Sequence, residues 1–424
     1  MPSATSILAF GLTLLSQVRG FELEFTGARF PGDADSSSPF ARWRTPGQGE
    51  LVKRQGQKCG PSGGGAVCPA SQCCSQDGLC GTGGYYCDAP ACLWQWGPAC
   101  DANVVPPGKS TKADPRPLFG NVPYGVVITH CTTPGKVALT FDDGPYLYTT
   151  QILDTLKAAG VKATFFVVAI NGGKGEIDLS SSGYSPILQR MIADGHQIGS
   201  HTWAHQDLTQ MTSAQRIDQI TKNEVALTNI LGFFPTYLRP PYTYTNPDVL
   251  SDLKTLGYHV VNQDLDTLDW QGDYNAAQNN FLGPISSNKP ATSSYIVLSH
   301  DIHQQTVTQL VPFMITNLKK YGYTTATVGE CLGDPPANWY RDPLSGSAVN
   351  ASAVSAKQAT NVTSAVPTPT AGNASDFHAG TGNSSSSSSN SPSTSSTKKS
   401  EVSSMVPSLS FVGLLSLLFA AFLG

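Results

Sequence analysis

Val137-Ala138-Leu139-Thr140-Phe141-Asp142-Asp143-Gly144-Pro145 is the stretch on which the reading of this chain turns. Five residues without a charge run into two adjacent carboxylates. A short continuous run of this kind reads as a strand buried on both faces, as in a parallel sheet. Two neighbouring carboxylates at its end cannot be packed into a core unless a cation or hydrogen bonds compensate them. The Gly-Pro pair then turns the chain.

Outward from this strand the same alternation repeats. Thr150 to Ala159 reads as a helix closed by Gly160, and Ala163 to Val168 as the next strand. Pro186 to Asp194 is a helix ended by Gly195. Thr212 to Leu231 is a long one, with Ser213 as its expected cap and Gly232 as its stop. Tyr237-Leu238, Tyr258 to Val261, Tyr295 to Leu298 and Tyr323 to Ala326 supply further strands, with helices at 247–256 and 305–320. Strand–helix alternation implies an α/β domain with a parallel sheet, open or closed into a barrel. In such folds chemistry collects on the loops at the C-terminal ends of the strands.

Five short strings stand where that rule directs attention: Asp142-Asp143-Gly144-Pro145, His201-Thr202-Trp203-Ala204-His205, Arg239-Pro240-Pro241-Tyr242, Asp266-Thr267-Leu268-Asp269-Trp270 and Leu298-Ser299-His300-Asp301. Each has an ordinary explanation by itself: a capped turn, a chance His pair, a rigid surface turn or solvated acids. Their order carries the weight, since acid, paired His, Arg, acid and His follow one another strand by strand. Two His and one carboxylate make a three-ligand site with open positions, suited to Zn²⁺ or another borderline divalent ion. Such a site acidifies a bound water and polarises a carbonyl. The second Asp is placed to accept the water's proton, and His300 is the available acid for a poor amine leaving group.

These strings, in this order, resemble the polysaccharide deacetylase family (carbohydrate esterase family four, the NodB-homology domain), and the likeness covers roughly residues 115–340. The resemblance implies an incomplete (β/α) barrel. By motif position it implies Asp142 as base, Asp143, His201 and His205 as metal ligands, and Arg239 as the group that orients Asp142. Tyr242 would offer its backbone N–H to the acetyl oxyanion. His300 would be the acid, tuned by Asp269 or alternatively by Asp266, and Trp270 and Leu298 would line the acetyl pocket. Members use zinc or cobalt. The implied reaction is removal of N-acetyl groups from the N-acetylglucosamine residues of chitin. An O-acetyl xylan esterase of the same fold and a non-catalytic chitin-binding wall protein are the alternatives.

Eight of the ten Cys fall between Cys59 and Cys100, the others being Cys131 and Cys331. That density implies a disulfide framework formed in an oxidising compartment. A metal reading would need two all-thiolate sites, because no His lies in this window. The unit, residues 55–101, resembles a hevein-like chitin-binding module. The resemblance implies the pairs Cys59–Cys74, Cys68–Cys80, Cys73–Cys87 and Cys92–Cys100, with Ser75 and Tyr86 at sugar-contacting positions. Asp77 and Leu79 stand where such modules carry aromatic rings. Trp94 and Trp96 could replace them or pack a miniature core. Cys131 and Cys331 are expected to staple the start of the catalytic domain to its end, or to stay as free thiols.

Charged residues are 13% of the chain and the formal charge is −4. With no basic block, no nucleic-acid partner is expected, and a neutral cell-wall glycan is. Ile7 to Leu15 is apolar and fits a signal peptide over residues 1–20. A polar leader, 21–54, ends in the dibasic pair Lys53-Arg54, and 102–117 reads as a linker before a folded domain at 118–342. Residues 343–404 are rich in Ser, Thr and Asn, and the sequons Asn350, Asn361, Asn373 and Asn383 mark a glycosylated stalk. Leu409 to Leu423 reads as a GPI-anchor signal within 405–424, with a short transmembrane helix as the alternative. A secreted monomer, GPI-anchored to the outer face of the plasma membrane or the cell wall, is therefore expected.

Overall fold

The computed structural model describes residues 56–351. The signal peptide, the leader with Lys53-Arg54, the sequons Asn361, Asn373 and Asn383, and the anchor signal lie outside the described residues. Asn350 lies within them and is exposed.

The opening stretch forms the middle of the main sheet. In chain order its strands are β1 (Val127–Ile128), β2 (Lys136–Asp142), β3 (Thr164–Val167), β4 (Gln197–Ser200) and β5 (Tyr237–Leu238). There follow β6 (His259–Val261), β7 (Leu265–Asp266), β8 (Tyr295–His300) and β9 (Thr324–Ala326). All pair in parallel, in the order β7-β8-β2-β3-β4-β5-β6-β1, with β9 beside the start of β2. The path does not close on itself, so the α/β reading with an incomplete barrel holds. The sheet curls because strands buried on both faces twist, and Val137, Ala138, Leu139, Phe141, Phe165 and Phe166 fill its middle.

Helices α1 (Thr149–Ala159), α2 (Ser185–Ala193), α3 (Ser213–Leu231), α4 (Pro247–Thr255), α5 (Tyr274–Ser287) and α6 (Val311–Tyr321) flank the sheet. The cap of α3 is Thr212, not Ser213. Its hydroxyl accepts from the Gln215 N–H while Gln215 Oε1 accepts from the Thr212 N–H, closing a capping box. The helix expected over 305–320 opens instead as one π-turn, Thr306–Leu310, before α6.

Register brings the strand ends level. His300 pairs with Asp142, Phe166 with Asp142, Ser200 with Val167 and with Leu238, and Leu298 with Asp266. Every motif string therefore leaves the sheet at one rim.

The Cys-rich unit is a small module with one two-stranded sheet, Cys73–Cys74 against Cys80–Gly81, and one helical turn, Gly84–Cys87. Its bonds are Cys59–Cys74, Cys68–Cys80, Cys73–Cys87 and Cys92–Cys100, and Cys131–Cys331 ties the entrance of β2 to the end of the barrel. The segment 102–117, read from its Pro and Gly as a linker, lies along α3. Ala102 O accepts from Gln219 Nε2 (2.9 Å) and Lys222 Nζ (3.2 Å), and Pro107 O from Asn229 Nδ2 (2.7 Å). Arg116 meets the buried Glu224 with two bonds, 2.7 and 2.8 Å, and Tyr258 donates to the same carboxylate at 2.7 Å. A bidentate pair of this kind is directional and fixes the strap.

Candidate active site

Asp142 is the last residue of β2 and is buried. Arg239, fully buried after β5, donates from Nη1 to Asp142 Oδ1 at 2.8 Å and to Thr140 Oγ1 at 2.7 Å. Its other nitrogens are spent on carbonyls, Nη2 on Asn262 O at 3.0 Å and Nε on Val261 O at 3.3 Å. Phe166 lies under the guanidinium, 4.4 Å from its ring centroid. The arginine thus has no freedom to leave. Burial nevertheless pushes the Asp142 carboxyl up to about 6, against the pull of Arg239.

Asp143 follows in the left-handed region, at φ 74°, which a non-glycine residue adopts only under constraint. The turn brings Asp143 Oδ1 within 3.2 Å of His205 Nε2 and 3.6 Å of His201 Nε2. The three ligand atoms lie within 4.8 Å of one another. His201 Nδ1 donates to Arg239 O at 2.6 Å, which leaves Nε2 as the lone pair facing Asp143. Burial, then the neighbouring His205, takes His201 down to about 3, and burial lowers His205 as well. In both rings burial favours the neutral form, the one that ligates. For Asp143 burial opposes ionisation, but His205, His300 and His201 outweigh it and hold the group near 2. Its Oδ1 is buried without a hydrogen-bond partner. An orphaned carboxylate oxygen between two imidazole lone pairs is the donor set a tetrahedral divalent ion takes, so the residues fit one.

His300 closes β8 on the other side. Its Nδ1 and Asp269 Oδ1 are 2.8 Å apart, and its main-chain N–H donates to Asp269 Oδ2 at 2.8 Å. Thr306, at the start of the π-turn, donates to Asp269 Oδ2 at 2.6 Å. Burial disfavours the imidazolium, yet Asp269, followed by Asp143 and Asp142, raises it to about 10. Asp266 turns elsewhere, its Oδ1 accepting from the Leu268 N–H at 2.8 Å, so of the two candidates Asp269 touches His300.

Asp142, Asp143, His201, His205, Tyr242, Asp266, Trp270, Leu298 and His300 line one cleft of about 680 Å³, the size of a small-ligand site. Arg239 and Asp269 stand behind it. Tyr242, at φ 59°, turns the Pro241–Thr243 corner with its ring edge-on to His205, the centroids 4.6 Å apart. Lys174, which the sequence reading passed over, donates to Asp143 O at 3.1 Å and to Val168 O at 2.9 Å. Asn171 also donates to Asp143 O, at 3.4 Å. Neither carries a motif signal in the sequence; only the return of the 168–177 loop to Asp143 reveals them.

In the module Trp94 and Trp96 line the same cleft. Ser75 does not. It is fully buried and its hydroxyl accepts from the Leu79 N–H at 3.3 Å, an internal bond. Tyr86 packs edge-on against Tyr85 and over Gly81, where an added Cβ would lie 2.5 Å from its ring.

Barrel and cleft together define a class, the enzymes that work at the C-terminal mouth of a parallel (β/α) fold. A family profile described as polysaccharide deacetylase matches residues 129–261, and one described as chitin recognition protein matches residues 58–100. A chitin deacetylase of Pestalotiopsis sp is 47% identical over 237 residues, 55% of this chain and 76% of that protein. A chitin deacetylase of Colletotrichum lindemuthianum is 44% identical over 236 residues, 55% of this chain and 93% of that one. The solved structure of the chitin deacetylase from that fungus overlaps 52% of this chain and 97% of its own, at 45% identity and a TM-score of 0.49. The chain belongs to the polysaccharide deacetylase family and carries a chitin-recognition module ahead of the barrel. Members of this family are metal-dependent, and five disulfides, four of them inside the module and one in the barrel, fit an extracellular or cell-wall protein.

Proposed function

We propose that this protein hydrolyses the N-acetyl groups of N-acetylglucosamine residues in chitin, releasing acetate and leaving chitosan. The observation that carries this reading is the meeting, in one cleft, of a ligand triad with the Asp142 carboxylate on one side and, on the other, the His300 imidazole paired with Asp269.

Asp143, His201 and His205 would hold one divalent ion, zinc or cobalt. When bound, that ion would acidify water and polarise the acetyl carbonyl. Asp142 accepts the proton of the attacking water through Oδ2, the oxygen that Arg239 leaves open and that lies 3.7 Å from His201 Nε2. The Tyr242 peptide N–H serves the developing oxyanion. His300, kept protonated by Asp269, gives its proton to the amide nitrogen as the C–N bond breaks, so that the sugar leaves as a neutral amine. Trp270 and Leu298 confine the acetyl methyl. Likeness in sequence to the two fungal chitin deacetylases, together with the chitin-recognition module, supports chitin as the polymer.

The experiment is acetate release from chitin oligomers by the purified protein, with and without a chelator. Expected is release that a chelator abolishes and added zinc or cobalt restores. His201→Ala with His205→Ala should take up less than a tenth of the ion bound by the parent, about tenfold weaker at least. Acetate release that continues in the chelated protein would end this reading.

A further inference from the structure

The module does not sit apart from the barrel. Its residues 84–96 turn toward the motif loops, and Tyr85, Pro90, Leu93, Trp94, Gln95 and Trp96 line the same cleft as Asp142, His205 and His300. The face at which hevein-like modules would meet sugar is spoiled here: Ser75 is buried, and Asp77 and Leu79 stand where rings are expected. The aromatic residues that the module brings to the cleft are Tyr85, Trp94 and Trp96. Trp96 is half-buried, with part of its ring held against the disulfide cluster of Cys59, Cys68, Cys74 and Cys80. A flat ring, fixed on one side and bordering a cleft on the other, is a stacking platform for a pyranose face.

The seam between the two parts is built from the loops that carry the ligands. Ala89 O accepts from the Gly172 N–H at 2.8 Å, next to Asn171, which touches Asp143. Pro90 O accepts from Gln206 Nε2 at 3.2 Å, and Asp101 O from Trp203 Nε1 at 3.2 Å, residues on either side of His205. Trp94 packs between the module's disulfides and the Leu208–Met211 corner of the barrel. The strap over α3 holds this arrangement in place.

Resting on the deacetylase reading, we infer that the module is one wall of the catalytic cleft, with Trp96 a sugar-binding subsite for the same N-acetylglucosamine chain whose acetyl group reacts between Asp142 and His300. The module then sets chain-length preference and the position along the chain at which acetate is removed. A separately tethered module would do neither.

Trp96→Ala and Gln95→Arg, each in the full chain, test this with two readouts. Gln95 is exposed on the same wall, and arginine there puts bulk into the cleft. The first readout is kcat/KM for soluble chitin hexamer divided by that for the dimer. Both variants should lower this ratio through KM: Trp96→Ala about tenfold, as expected for loss of one stacking contact, and Gln95→Arg by obstructing the same wall. The second is calorimetric binding of the hexamer in an Asp142→Asn background, where Trp96→Ala should weaken affinity about tenfold as well. An unchanged ratio and unchanged hexamer affinity, with weaker retention on insoluble chitin alone, would overturn the shared cleft. Trp96-dependent hexamer binding in a protein that releases no acetate would keep this inference and sink the catalytic reading instead.

Discussion

Arg239 holds His201 and Asp142 at once: its carbonyl oxygen accepts from His201 Nδ1 at 2.6 Å, while its guanidinium donates to Asp142 Oδ1 at 2.8 Å. The first contact belongs to the main chain and survives substitution. The second belongs to the side chain and does not. One residue therefore couples the ligand set to the base, and the two roles can be separated.

Arg239→Met should bind a divalent ion as the parent does yet lose about 10²–10³ in kcat/KM on chitin oligomers. Its acid limb should also move. Asp142 already titrates near 6 because burial outweighs Arg239, and removing the cation takes away an opposing force, so the limb shifts to higher pH. A pH–rate profile and metal analysis on one sample check both. An acid limb that stays in place would mean another group supplies the base.

Asp269→Asn should shift the other limb in the opposite direction. The imidazolium of His300 is raised to about 10 chiefly by Asp269, so a neutral partner lets its pKa fall toward the ordinary value. The proton is then lost at lower pH and the alkaline limb moves down. A resident cation opposes the pull of Asp142 and Asp143 in both proteins, so the comparison between them isolates Asp269. Imidazole titration followed by NMR in the metal-free proteins gives the same direction without turnover.

His300→Ala should separate amides from esters. An amine leaves poorly without a proton, whereas an alkoxide or phenoxide leaves with less help. Chitin oligomer turnover should fall about 10²–10⁴-fold and acetate-ester hydrolysis by much less. Equal losses on both substrates would place His300 outside the proton transfer to the leaving group.

Removing the Cys131–Cys331 bond with paired Ser substitutions should cost roughly 2–5 kcal/mol, since a long loop is released in the unfolded chain. The bond spans 200 residues of sequence. Denaturant melts of the barrel fluorescence should show a lower midpoint with little change in the chelator-sensitive site. A midpoint unaffected by the double substitution would leave the bond without a structural role.

Much of this architecture was readable because two signals coincide. β2 and β3 are buried on both faces, so their apolar runs are continuous, and the motif strings follow strand ends that register later brings level. β4 was not readable as a strand from its own residues. Gln197-Ile198-Gly199-Ser200 looks polar, yet Gln197 Oε1 accepts from Thr164 Oγ1 and from the Gly329 N–H inside the fold, and Gly199 leaves room for the Phe166 ring. α5 was missed because Gly283 and Pro284 stand inside it and few of its residues are buried. The partnership of Arg116 with Glu224 and the turning of Trp96 into the cleft depend on contacts distant in sequence. No local pattern encodes them.

With the module as one wall of the cleft, as inferred above, the strap at 102–117 would also limit what form of polymer can be met. An adhesive domain on a loose leash can graze any surface and leave its enzyme to follow. With Ala102, Pro107 and Arg116 pinned across α3, the opening between the two lips keeps a set gauge. A single strand freed from its neighbours can thread that gap, whereas the flat side of a crystallite offers nothing narrow enough to enter.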